Sequence, residues 1–401
     1  MNDRGITPST IFGEGALSEL PKICETLRAR HLLLVVDEIA YRLSGAADAL
    51  RQFLPPDAVT LFTDFEPNPK LEDVMRGVEK CRSVKPDLVV ALGGGTAIDL
   101  AKMIGSMALQ EESPRDIAVK GLPLQRGTLP LIAIPTTAGT GSEATHFAVV
   151  YVDGEKYSVA DPCLLPAFAL IDPQLTYSLP PTMTAATGLD TFCQAIESIW
   201  AVGATSESIE FAKEAAQLAL RYLPEATHRP TPEARRAMCC ASNLAGQAIN
   251  ISKTTLPHAI SYSITADYGL PHGAAVATTL SSVMAFNFGV SARDCADRRG
   301  LAYVQKQLDL ILEILEVPSV DLACQRIESF VDSLGCSATP FAAGITSDES
   351  LNLLASRVNT DRLSNNPRAA SHDDLVSMLK VRTNLSPMPR PLGVAPRATS
   401  L

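Results

Sequence analysis

The feature that most limits how this chain can fold is an alternation confined to its first half. Three short apolar runs, HLLLVVD (31–37), DLVVALGGG (87–95) and LPLIAIPTT (129–137), are separated by helical patterns such as KLEDVMRGVEKCRSV (70–84) and TAIDLAKMIGSMAL (96–109). Runs this apolar, without polar alternation, suit strands covered on both faces, the condition inside a parallel sheet. Strands alternating with helices predict a doubly wound, Rossmann-like α/β dinucleotide-binding domain. After the proline-rich SLPPT near residue 180 the pattern changes. TAATGLDTFCQAIESIWA, SESIEFAKEAAQLALRYL, PEARRAMCCASNLAGQAIN and LAYVQKQLDLILEIL all read as helices. We therefore expect an α/β domain over 1–180 and an all-helical domain over 181–401, with the proline-rich end, 386–401, a mobile tail.

Composition narrows the classes of function. Of 401 residues, 46% are hydrophobic and 19% charged, so sizeable cores can be buried. The net charge of −10 argues against nucleic acid or an anionic membrane as partner. No apolar run reaches the roughly 20 residues that cross a bilayer. Nine cysteines, an odd number with no CxxC, and an N-terminus with no apolar signal core predict free thiols and a cytoplasmic location.

Two turns at strand ends invite an anion. Gly93, Gly94 and Gly95 close one apolar run, and Thr96 opens the next helix. Glycines let backbone N–H groups approach a phosphate, and the helix N-terminus adds its positive end. Thr96-x-x-Asp99 matches a capping box that would fix that helix start. A plain tight turn fits the glycine triplet equally well, because this is not GxGxxG. IPTTAGTGSEAT follows another strand, which places Thr136, Thr137, Gly139 and Ser142 at the same carboxyl edge, where open α/β sheets bind ligands. Asp37 ends the first run. It can accept hydrogen bonds from an adenosine ribose and would repel a 2′-phosphate, favouring NAD(H) over NADP(H); a solvated turn aspartate is the plainer reading.

KTTLPHAISYSITADYGLPHG holds two of the chain's six histidines, His258 and His272, fourteen positions apart. Asp190 and Gln194, four residues apart in a helical stretch, share one face. A carboxylate, an amide oxygen and two imidazoles can converge on one divalent ion with positions left for substrate. On spacing alone, two structural histidines explain the residues as well.

Together these segments carry a resemblance. GGGTAIDLAK, PNPK (67–70), IPTTAGTGSEAT, CLLP (163–166), IDPQLT, GLDTFCQAIES and PHAISYSITADYGLPHG resemble, in order, the iron-containing (group III) alcohol dehydrogenase family over roughly residues 5–385. The resemblance implies an N-terminal dinucleotide-binding domain and an all-helical C-terminal domain, with the active site in the cleft between them. It implies NAD(H), a divalent metal (Fe²⁺ first, Zn²⁺ second), a small aldehyde or alcohol substrate, and a homodimer or larger assembly. Position by position it assigns Asp190, His258 and His272 to the metal, Gly93 to Thr96 to the pyrophosphate, Thr136, Thr137, Gly139 and Ser142 to the second nucleotide loop, and Asp37 to the ribose.

The sequence departs from the family pattern at two places. The family's usual ligand four residues after the acid is His, and here it is Gln194, a poorer donor for late first-row metals, so weaker metal binding is expected. Where many members carry a proton-relaying His, this chain has Tyr262, either a proton donor or a pocket wall. Lys253, with Thr254 and Thr255, is a candidate anchor for an anionic substrate group, against the plainer reading of a solvent-facing lysine. The run SKTTxPHAxSY with Gln194 resembles the branch that reduces phosphonoacetaldehyde to 2-hydroxyethylphosphonate. The competing readings are a same-fold dehydrogenase for lactaldehyde, a simple alcohol or maleylacetate; a cyclising lyase; and a non-catalytic nucleotide-binding protein.

Overall fold

The computed structural model describes residues 8–358 and 363–380; the expected tail, 386–401, lies outside the described residues. Six parallel strands form one sheet: β1 (Ser9–Phe12), β2 (Leu32–Val36), β3 (Val59–Phe62), β4 (Leu88–Gly93), β5 (Leu131–Pro135) and β8 (Phe168–Ile171). Their order is β1-β8-β5-β4-β2-β3. Every residue of β2, β4 and β5 is buried, as their unbroken apolar runs require. Leu33, Val35, Val89 and Ala91 enter one apolar layer, and Leu32, Leu34, Leu88 and Val90 enter the other. Full burial of such a side chain contributes roughly 1.5–3 kcal/mol relative to exposure.

β6 (Phe147–Val152) and β7 (Glu155–Ala160) form a separate antiparallel hairpin. Its two-residue turn, Asp153-Gly154, has both residues at positive φ (52° and 85°), the requirement of a type I′ turn and the reason for Asp-Gly there.

From Pro181 the regular elements of the described residues are all helices, apart from an isolated bridge between Cys295 and Arg368. The helix Pro181–Trp200 runs through the core of this half, with nearly all of its later residues buried. Its neighbour Ser206–His228 turns Ala212, Ala215, Ala216 and Ala219 inward at helical spacing, which permits close packing against it. The two histidine-bearing helices, Leu256–Tyr268 and His272–Phe288, are joined by a three-residue turn. The stretch TADY is helical through Tyr268, and only residues 269–271 turn. No helix among the described residues is long and apolar enough to cross a membrane, and none of the nine cysteines forms a disulfide.

The two halves meet backbone to backbone. A Cβ on Gly141, which has φ 60°, would lie 2.5 Å from Gly246 Cα in the helix Pro232–Ser252. Thr191 donates to Gly139 O at 3.1 Å, and Asn243 donates to the buried Glu143 carboxylate at 3.1 Å. The 136–146 loop is thereby pressed onto the helix that carries Asp190 and Gln194 and onto the helix Pro232–Ser252.

Candidate metal and coenzyme site

Asp37, Gly93 and Thr136 lie side by side at the carboxyl edge of the sheet. The β2–β4 register ends at Val36 opposite Leu92, the β4–β5 register at Gly93 opposite Pro135, and Asp37 N donates to Leu92 O at 3.2 Å. A Cβ on Gly93 would fall 2.7 Å from the Ala97 Cβ, and one on Gly95 2.7 Å from the Thr140 methyl. The helix Gly95–Met107 begins after Gly94 with no side-chain cap. Its first N–H groups therefore remain available to an anion.

This corrects the expected capping box. Thr96 does not cap; its hydroxyl accepts from Asn68 N at 3.2 Å. Asp99 turns away from the helix start, accepts from the Ser142 hydroxyl at 2.5 Å and from Val149 N at 2.9 Å, and is pushed up in pKa chiefly by burial. Asp99 and Ser142 thus spend polar atoms fastening the 136–146 loop and the hairpin to the helix. Gly139 serves packing as well, since a Cβ there would meet Thr187 Cβ at 2.7 Å. The buried Thr136 hydroxyl has no hydrogen-bond partner. Gly94 leaves a gap beside Thr137, 3.4 Å from where a Cβ would be. Asp37 caps the next helix through its Oδ1, accepting from Ala40 N at 2.8 Å.

Asp190, His258 and His272 come together. Each offers a ligand atom within 4.8 Å of the others. His258 Nε2 lies 3.1 Å from Asp190 Oδ1, and the two imidazoles stand 5.5 Å apart at 74°. Gly273 makes this possible: a Cβ there would sit 2.6 Å from Asp190 N and 2.7 Å from Asp190 Cβ. The helix start bearing His272 is thus pressed directly onto the helix bearing Asp190.

Gln194 is 4% exposed. Its Nε2 donates to Thr140 O at 3.4 Å, while its Oε1 is buried without a hydrogen-bond partner. An orphaned buried acceptor costs free energy unless something satisfies it. A carboxylate, two imidazoles and this amide oxygen form a donor set that suits a divalent first-row metal.

Glu197 was not anticipated. It is fully buried one turn beyond Gln194, and its Oε1 receives His258 Nδ1 in a short hydrogen bond. Its Oε2 accepts from Thr255 N at 2.7 Å and from the Thr255 hydroxyl at 2.8 Å. Occupying Nδ1 leaves Nε2 as the ligand atom of His258. Burial disfavours the imidazolium, but the Glu197 and Asp190 carboxylates outweigh it and raise His258 to about 9. Burial likewise works against the Asp190 charge, yet the facing imidazoles hold its pKa below the usual value. The signal for Glu197 was present in GLDTFCQAIES: positions 190, 194 and 197 share one helix face.

Tyr262 joins the site through its ring, stacked on His272 at 6.0 Å and 9°. Lys253 is exposed at the C-terminal end of the helix Pro232–Ser252, with φ 60°.

The iron-containing alcohol dehydrogenase family model matches residues 7–173, and the model of the family's C-terminal part matches residues 184–383. This chain belongs to the iron-containing alcohol dehydrogenase family. It is 34% identical over 349 residues to phosphonoacetaldehyde reductase of Streptomyces viridochromogenes, covering 84% of this chain and 85% of that one. It is 33% identical over 362 residues to long-chain-alcohol dehydrogenase 1 of Geobacillus thermodenitrificans, covering 89% and 90%. Sulfoacetaldehyde reductase from Bifidobacterium kashiwanohense, solved in complex with NAD⁺, superposes with a TM-score of 0.83 at 33% identity, covering 93% of this chain and 96% of that one. The protein is an NAD-dependent alcohol dehydrogenase or aldehyde reductase. The family implies NAD(H) and a divalent metal, typically iron, and the cluster around Asp190 fits such an ion.

Proposed function

We propose that this family member reduces short aldehydes bearing a tetrahedral oxyanion, phosphonoacetaldehyde first, to the corresponding alcohol: aldehyde + NADH + H⁺ → alcohol + NAD⁺. Two of the relatives described above are named for aldehydes of this kind, one with a phosphonate and one with a sulfonate. The observation that carries the reductase chemistry is the converged Asp190, His258 and His272 set beside the orphaned Gln194 Oε1.

When bound, the divalent ion supplies Lewis acidity toward a carbonyl oxygen, and the nicotinamide supplies the hydride. In this reading Asp190, Gln194, His258 and His272 hold the ion, and Glu197 fixes the His258 ring. The open N–H groups of Gly95 and Thr96 take the pyrophosphate, Thr136 and Thr137 line the same crevice, and Asp37 Oδ2 meets the ribose. Tyr262, or a water beside it, delivers the proton to the nascent alkoxide. The reading includes a cytoplasmic homodimer, as the family resemblance and the free cysteines suggest.

The test is NADH oxidation with phosphonoacetaldehyde, sulfoacetaldehyde and propanal, with and without added Fe²⁺ or Zn²⁺. We expect kcat/KM for phosphonoacetaldehyde to exceed that for propanal by more than about tenfold, the size of one good charged contact. Equal or inverted values would sink the substrate assignment and favour a dehydrogenase of uncharged alcohols, the second reading, which rests on the Geobacillus relative. Product formed without net NADH consumption would point to a lyase.

A further inference from the structure

The β6–β7 hairpin brings a cation up to the helical half. Residues alternate across it: Ala148, Val150, Val152 and Val159 enter the core of the α/β half. Tyr151 and its cross-strand partner Lys156 therefore take the opposite face. Lys156 is half-buried and places its Nζ 3.6 Å from the centre of the Tyr262 ring. That ring lies flat on His272, one of the three converging metal candidates. Lys156 thus reaches from the coenzyme half to within one aromatic ring of the metal cluster, and its charge acts on both Asp190 and Asp99. The oxygens of a phosphonate or sulfonate are strong acceptors for an ammonium. A two-carbon aldehyde is short, so its anionic group must find a cation close to where its carbonyl sits. Lys156, over a ring that is itself stacked on His272, is a cation in that neighbourhood.

We propose that Lys156 is the specificity-determining residue that binds the tetrahedral oxyanion of the substrate while the carbonyl faces Asp190, His258 and His272. The inference rests on the reductase reading above and deepens it: the substrate's charge is read by the hairpin of the α/β half, across the cleft from the metal helices.

The test uses the metal-loaded full chain with Lys156→Gln and Lys156→Arg, and Lys156→Met as a second neutral variant should the glutamine perturb folding. Steady-state kinetics with phosphonoacetaldehyde, sulfoacetaldehyde and propanal are paired with calorimetric binding of 2-hydroxyethylphosphonate and of 1-propanol. Loss of the ammonium is expected to lower the kcat/KM ratio of either anionic aldehyde to propanal by about tenfold or more, through KM. It should weaken 2-hydroxyethylphosphonate binding by a similar factor and leave 1-propanol binding in place. Lys156→Arg should recover most of the ratio. The inference is overturned by an unchanged ratio, by a loss shared equally with propanal, or by a rise in the KM for NADH in place of the aldehyde, which would give Lys156 to the coenzyme. Loss of discrimination in Lys253→Gln but not in Lys156→Gln overturns it as well. A wild-type enzyme that reduces propanal better than phosphonoacetaldehyde sinks the proposed function, yet the ratio and calorimetric arms still read what Lys156 does.

Discussion

At the sheet edge the residues that matter are neighbours in the chain: Gly93, Gly94 and Gly95 end one strand and open one helix. In the helical half they come from three separate helices, bearing Asp190, His258 and His272. On the proposed function the first region works through what its side chains omit, because open backbone N–H groups and missing Cβ atoms leave room for an anion. On that reading the second works through what its side chains present, with His258 held in turn by Glu197. The difference teaches where each region is fragile. The coenzyme edge is sensitive to added atoms, and the metal cluster to removed ones.

Substitutions can break or sharpen this contrast. Asp190→Ala should have the largest effect. Metal retained after chelation and dialysis should fall by more than about 100-fold, beyond the 10–100-fold typical of an outer partner. NADH binding, followed by its fluorescence, should change little; a parallel loss would show that the two regions are not separable. Glu197→Gln should weaken metal binding by about 10–100-fold, because Nδ1 of His258 loses its carboxylate. An unchanged affinity in a chelator competition would remove Glu197 from the site's account. Gly95→Ala tests the opposite region by adding one methyl group against Thr140. It should weaken NADH binding about tenfold and lower stability by about 1–3 kcal/mol, with metal content preserved. Gln194→His should give the smallest change and the only gain, a rise in metal retention of about three- to tenfold, since imidazole is the better donor. No gain would mean that the Gln194 oxygen is not aimed at the ion.

Much of this was legible beforehand. The apolar runs announced β2, β4 and β5 because a doubly covered strand has no polar face to disguise it. The meeting of Asp190, His258 and His272 was expected through the spacing of PHAISYSITADYGLPHG and the helix of Asp190, joined by the family resemblance. The capping box was misread because Thr96 and Asp99 have the right spacing but other obligations: Asn68 claims one, and Ser142 and Val149 claim the other. Local pattern yields to tertiary partners when the alternative hydrogen bonds are as good. The hairpin was overlooked even though Asp153-Gly154 between two strand-like runs is a strong turn signal. With it went Lys156, whose place beside Tyr262 depends on that hairpin being folded.

By itself the sequence determined the parallel α/β half, the helical half, and which residue types were available to bind an anion and a divalent ion. These follow from periodicity and from short-range backbone chemistry, which act along the chain. Tertiary structure alone decided that Gly273 would press the His272 helix onto Asp190, that Glu197 would own the far nitrogen of His258, and that Lys156 would lie over the Tyr262 ring. Those outcomes depend on close approach between elements far apart in the chain. Steric fit and buried charge set them, and neither is written in any single stretch of residues.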